Sequence, residues 1–169
     1  MTVPLAHDPL THPLCSVAAD YAVSAWENVL VAYFPDRVTV PALAAVHGAN
    51  LALLRDFPEG TATLAIVRGG MPMPRSDARA YAAKIGREAS ARLRGECIVI
   101  DGHPLWARTA RTVLYTIGLV STSLHPRGVF DAVDPACRWV LDKGGHTKTP
   151  AFQLVTTVEA LIAANHRLR

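Results

Sequence analysis

The sequence predicts an α/β protein: a mixed sheet of about five strands with about four helices, plus one helix appended at the C-terminal end. Three observations carry this. Short apolar runs bounded by glycine or proline alternate with longer segments whose apolar residues recur at helical spacing. The first two apolar runs follow one another with no helix between them, which adds a hairpin to an otherwise strand–helix–strand order. The resulting order, β-β-α-β-α-β-α-β-α and a tail helix, argues parallel pairing of the later strands through right-handed crossovers.

Each element has its own signal. "AADYAVSAWENVLVAYFP" (18–35) holds two partly alternating runs either side of Trp26-Glu27-Asn28, a hairpin whose turn lacks Asn-Gly. Thr39 is placed to cap the next helix, with Pro41 in its first turn and Pro58 at its end. On that helix Leu43, Val46, His47, Asn50 and Leu54 share a face. "TATLAIV" (61–67) is a short apolar run after a glycine, and reads as a buried strand. "RGGMPMPRSDARAY" (68–81) follows: a stiffened turn, then Ser76 as cap of a basic helix reaching about residue 93. "ECIVIDG" (96–102) is a second buried strand. Pro104 opens a helix to about residue 122, and "GVFDAV" (128–133) is a short strand. Asp134-Pro135 caps a helix that Gly144-Gly145 ends. "HTKTP" links it to an amphipathic tail from Phe152 to His166.

Half of the 169 residues are hydrophobic and 18% are charged, enough for one core without disulfides or metal. Basic residues outnumber acidic ones 17 to 14, too mild a balance for a nucleic-acid partner. Cys15, Cys97 and Cys137 are odd in number and far apart, which argues a reducing compartment rather than a disulfide framework. The start, "MTVPLAHDPLTHPLCS", has neither the basic end nor the apolar run of a secretory signal. No stretch approaches the roughly 18 apolar residues of a membrane span, so a cytoplasmic protein without membrane contact is expected. The chain divides into a flexible segment (1–17), a main domain (18–143), and a linker with the C-terminal helix (144–169).

The stretches "LRDFPEGTATLAIVRGGMPMPRSDARAY", "ECIVIDGHPLWARTARTVL" and "GVFDAVDPACRWVL", in this order, resemble the STAS domain of sulfate transporters and anti-sigma factor antagonists. The closer resemblance is to divergent STAS-like proteins of the myxobacterial type, over roughly residues 20 to 143. The resemblance implies a regulatory module acting through protein contacts. Anti-sigma antagonists carry a phosphorylatable serine in an Asp-Ser-[Ser/Thr]-Gly-like motif where a helix follows a central strand. Here that junction holds Ser76-Asp77, in reversed order and with no glycine after it. Only Ser76 carries over, by position, as a phospho-switch or as a cap.

Other chemistry is poorly signalled. Gly69-Gly70 sits between a strand and a helix, but the Lys-Ser/Thr of a P-loop and the G-x-G-x-x-G of a dinucleotide fold are both missing. Two prolines also remove donors from that loop. Ser76, Asp101 and His103 follow neighbouring strands, where ligands bind in open α/β sheets, yet no G-x-S-x-G elbow surrounds the serine. The seven histidines show no metal-ligand spacing, and no cofactor is expected. His47, on an otherwise apolar helix face, reads as a satisfied, partly buried histidine. The expectation is a non-enzymatic, self-associating regulatory or scaffold module with an unidentified protein partner, its tail helix placed to cover the sheet either within its own chain or across a dimer. The alternative is a small-molecule or anion binder with a crevice formed by Arg68, Arg75, Ser76, Asp101, His103 and Arg108; a hydrolase at that crevice ranks below it.

Overall fold

A computed structural model describes residues 8–102 and 125–169. The helix expected over 104–122 lies outside the described residues, as do His103 and Arg108. The rest is an α/β layer structure on a six-stranded sheet, β1 (Ser16–Val17), β2 (Ala22–Trp26), β3 (Val29–Phe34), β4 (Thr61–Arg68), β5 (Leu93–Asp101) and β6 (Arg127–Phe130), ordered 1-2-3-4-5-6. The helices are α1 (Val40–Asp56), α2 (Ser76–Ala89), α3 (Val133–Gly144) and α4 (Ala151–His166), with a 3-10 turn at Ser90–Arg92.

The first three strands pair antiparallel and β3 to β6 pair parallel, so the sheet is mixed as expected. The sixth strand is the unforeseen one. Ser16 and Val17 pair with Val23 and Ala22, and Ser24 Oγ donates to the Pro9 carbonyl at 2.6 Å. The end of the segment expected to be flexible is therefore bound to the sheet edge through backbone pairing, which leaves no periodic side-chain signal.

The hairpin turn is Glu27-Asn28, with Trp26 opposite Val29 and Glu27 at φ 49°. Thr39 caps α1 as predicted, its hydroxyl accepting from the Ala42 amide at 3.2 Å. The α3 cap differs from expectation. The helix begins at Val133, one residue ahead of Asp134, and no side chain caps it. Asp134 lies in the first turn instead, where it favours the positive helix end and pairs with Arg138 one turn on. Gly145 ends α3 in the left-handed conformation, φ 93°, with the His146 amide returning to the Leu141 carbonyl at 2.8 Å.

Strand alternation sorts the side chains onto two faces. Val29, Val31, Tyr33, Ala62, Leu64, Ile66, Cys97 and Val99 meet α3 and α4 in one buried cluster. Ala32, Phe34, Ala65 and Val67 face α1 and α2. Both crossovers, β3–α1–β4 and β4–α2–β5, step the same way and put their helices on the same face, as one crossover hand requires.

The tail helix is part of this core rather than an appendage. Leu154, Val158 and Leu161 of α4 are at most 1% exposed within the first cluster. Asn165 Nδ2 donates to the carbonyls of Ala18 (2.6 Å) and Tyr21 (3.3 Å), and Tyr33 Oη meets His166 Nε2 at 3.2 Å. Of the two placements expected for this apolar face, it takes the one within its own chain. We expect Leu161→Ala to cost about 2–5 kcal/mol in urea unfolding, against no more than about 0.5 kcal/mol for exposed Leu168→Ala.

Asn28 joins the two ends of the chain. Its Nδ2 donates to the Gly60 carbonyl (3.2 Å) and the Gly144 carbonyl (3.0 Å), and its Oδ1 accepts from His146 Nε2 (2.7 Å). Asn28→Ala takes away one donor from the Gly60 and Gly144 carbonyls and the acceptor of His146 Nε2, Gly144 keeping the Arg94 guanidinium. The expected loss is about 1–3 kcal/mol in the same unfolding measurement, and a change under 0.5 kcal/mol would show that water replaces the amide.

Candidate functional site

Between the sheet and the helices α1 and α2 lies a cavity of about 240 Å³. It exists because the facing side chains are small. Ala32 and Ala65 stand on the sheet, and Ala82, Gly86 and Ala89 on α2. Leu43, Val46, Ile85, Ile98 and Val129 line it further, and Met71-Pro72-Met73-Pro74 walls the end where β4 leaves the sheet. The "MPMP" of the stretch 68–81 is therefore a cavity wall. Met73 remains 42% exposed while lining it, and methionine's unbranched chain suits an adaptable wall.

The polar groups gather at the other end, and strand register places them there. Thr63 pairs with Glu96, and Glu96 with Arg127, so these three residues form one row across β4, β5 and β6. All three line the cavity, with Asn50 and His47 of α1. Arg127 Nε lies 2.7 Å from Glu96 Oε2, and His125 Nε2 lies 3.5 Å from the same oxygen. Burial by itself would raise the Glu96 pKa. The His125 hydrogen bond and the Arg127 charge outweigh it and hold the carboxyl below its ordinary value of 4.5. Asn50 Oδ1 accepts from the Thr61 hydroxyl at 2.9 Å. His47 Nε2 stands 3.3 Å from Glu88 Oε2, so it is the satisfied, partly buried histidine that its helix face implied.

Of the residues predicted to form a crevice, His103 and Arg108 lie outside the described residues, and the other four are placed as follows. Arg68 and Asp101 sit opposite one another in register at the ends of β4 and β5. By alternation they lie on the α3–α4 face, away from the cavity, and both charges act on Tyr33 there. The loops after these strands touch: the Gly69 amide donates to the Asp101 carbonyl, and a side-chain carbon on Gly69 would stand 2.6 Å from Gly102 Cα. Arg75 and Ser76 are exposed at the start of α2. The Arg79 amide bonds to the Arg75 carbonyl at 2.9 Å, which puts Ser76 one step inside the helix rather than at the capping position. Asp77 Oδ1 takes the Ala78 amide instead, at 2.8 Å.

Comparison with family models, with curated proteins and with solved structures gives no match for this chain. What the site can do is read from its own groups. Burial raises the Cys97 thiol well above its ordinary 9.0 and pushes Cys137 up to about 12. Neither supplies a thiolate nucleophile near neutral pH. No cluster of three or more metal-ligating side chains occurs among the described residues, and none of their helices is long and apolar enough to cross a membrane.

Thr63, Glu96 and Arg127 were legible only as polar residues falling in phase with apolar ones. Thr63 precedes Ala65 and Val67, and Glu96 precedes Ile98 and Ile100, each at a spacing of two. The depressed Glu96 pKa fixes a sign. The ion pair adds stability above the ordinary carboxylate value and loses it as pH falls through the lower folded-state value. The stability gap between the wild type and Glu96→Gln should therefore close on acidification from neutral pH to below 4.5. A gap independent of pH in urea titrations would show that the carboxylate charge is not what the network uses.

Proposed function

We propose that this chain is a non-enzymatic, STAS-like regulatory module that holds a small, largely apolar molecule in the cavity between its sheet and α1–α2. The observation that carries this is the cavity itself. Protein interiors are close-packed, and a void lined by apolar side chains with a few convergent polar groups is how ligand sites are built. The serial parallel order of β3 to β6, with α1 between β3 and β4 and α2 between β4 and β5, supports the STAS-like part of the reading. Occupancy is the signal in this scheme. A ligand under the Met71–Pro74 wall lies against the loop that leads into α2, whose exposed first residue is Ser76.

Ser76 supports contact with a protein partner as a second role for the same region. It is exposed at the first turn of a helix that follows a central parallel strand. Among the described residues its hydroxyl makes no hydrogen bond, which leaves it open to a partner.

The test is thermal unfolding of the full chain with a panel of small esters, ketones, fatty acids and aromatic compounds. A bound ligand at a hundred times its Kd adds about 2.7 kcal/mol of stability and raises Tm with concentration. Ala65→Phe fills the cavity from the middle of the sheet and should abolish the response while the fold persists by circular dichroism. A flat response across the panel, or one that survives Ala65→Phe, removes the proposal.

A further inference from the structure

The polar end of the cavity has a donor excess, and this bears on what it binds. The Arg127 guanidinium is engaged through Nε, 2.7 Å from Glu96 Oε2. Its Nη2 reaches across to α2, 3.7 Å from where a side-chain carbon on Gly86 would stand. Among the described residues neither Nη nitrogen has a hydrogen-bond acceptor. Asn50 is 6% exposed and uses its Oδ1 for Thr61, while its Nδ2 finds no acceptor among the described residues. The Thr63 hydroxyl, in the same row, makes no hydrogen bond among them either. Donors left open along one wall of a mostly apolar cavity are the groups a ligand acceptor would meet there.

Charge decides which acceptor. Arg127 and Glu96 already neutralise one another, and Glu88 stands beside His47 at the same wall. A ligand carboxylate would add an unmatched negative charge to a mostly apolar space, next to Glu96. A neutral carbonyl oxygen would take the open N–H groups and add no charge. Length follows from the strands. From the row of Thr63 to that of Val67 is four residues, about 13 Å at the parallel-strand rise, with the row Ala65–Ile98–Val129 between them and Val67–Ile100 at the far end.

We infer that the cavity selects an uncharged molecule with a single carbonyl-type acceptor at one end and an apolar chain or ring behind it. The carbonyl is held by the Arg127 fork with Asn50 and Thr63, and Glu96 acts as the positioning residue that sets the fork. This rests on the ligand-binding reading above and specifies its substrate class.

Calorimetric titration of the full chain with methyl octanoate, octanoate and octylamine separates the possibilities. The ester should bind most tightly and the amine most weakly. In the Arg127→Met/Glu96→Gln double variant, which leaves no unpaired charge, ester affinity should fall about ten- to hundredfold. Thr63→Val, a small change in a β-strand, should show a lesser loss and covers the case in which the double variant does not fold. If octanoate binds as tightly as the ester, or if all three bind alike, the head-group assignment is wrong while the cavity reading stands. The same holds if none of the three binds but another apolar compound does so and is blocked by Ala65→Phe. If nothing binds at all, both fall.

Discussion

One buried amide ties the sheet to the layer that covers it. Asn28 occupies a two-residue hairpin turn, a place where polar side chains ordinarily face water, yet it is 4% exposed. Each of its hydrogen-bonding groups reaches a different part of the chain. The side chain spans the carbonyl before β4, the last carbonyl of α3 and the ring of His146, and its backbone carbonyl takes the Ala62 amide at 2.9 Å. Arg94 reinforces the join by donating to the same Gly144 carbonyl at 3.1 Å. The end of α3, the start of β4 and the hairpin are thereby held in one register. That register sets where β4 begins, and so which of its residues stand level with Glu96 and Arg127.

The two faces of the sheet are filled differently. On the α3–α4 side, branched residues meet branched residues. Val31, Leu64 and Val99 oppose Val140, Leu141, Leu154, Val158 and Leu161, all at most 2% exposed. On the α1–α2 side, alanines of the sheet face the alanines and Gly86 of α2, and among the described residues the space between these layers is left as the cavity. Layers spaced for large side chains but carrying small ones leave a void, and an empty void costs stability.

The suppressed thiols and the surface position of Ser76 point the same way. Cys97 and Cys137 behave as small core residues, and Cys97 directs its sulfur toward the Ala136 carbonyl at 3.9 Å. Among the described residues, Cys97 and Cys137 are packed into the α3–α4 face and Ser76 stands on the surface. The groups lining the cavity are suited to holding and orienting a molecule.

Much of the fold was legible in the residues. Thr39 capping α1, the strands at 61–67 and 96–101, the Gly144-Gly145 stop and the mixed sheet follow from local rules, because caps, breakers and side-chain periodicity act over a few residues. Other features were not. The edge strand Ser16–Val17 forms through backbone pairing with β2, which has no signature in two residues. The tail helix showed an apolar face, but periodicity cannot say whether such a face packs in its own chain or against another. The candidate site was less legible still. Thr63, Glu96 and Arg127 come from three strands and Asn50 from a helix, and register alone, a matter of tertiary pairing, brings them level. By itself the sequence determined the elements and the polarity of each face. Only the tertiary structure decided that small residues would meet across the layers and leave room, and that the polar residues would line one end of that room, because both depend on which strands lie side by side.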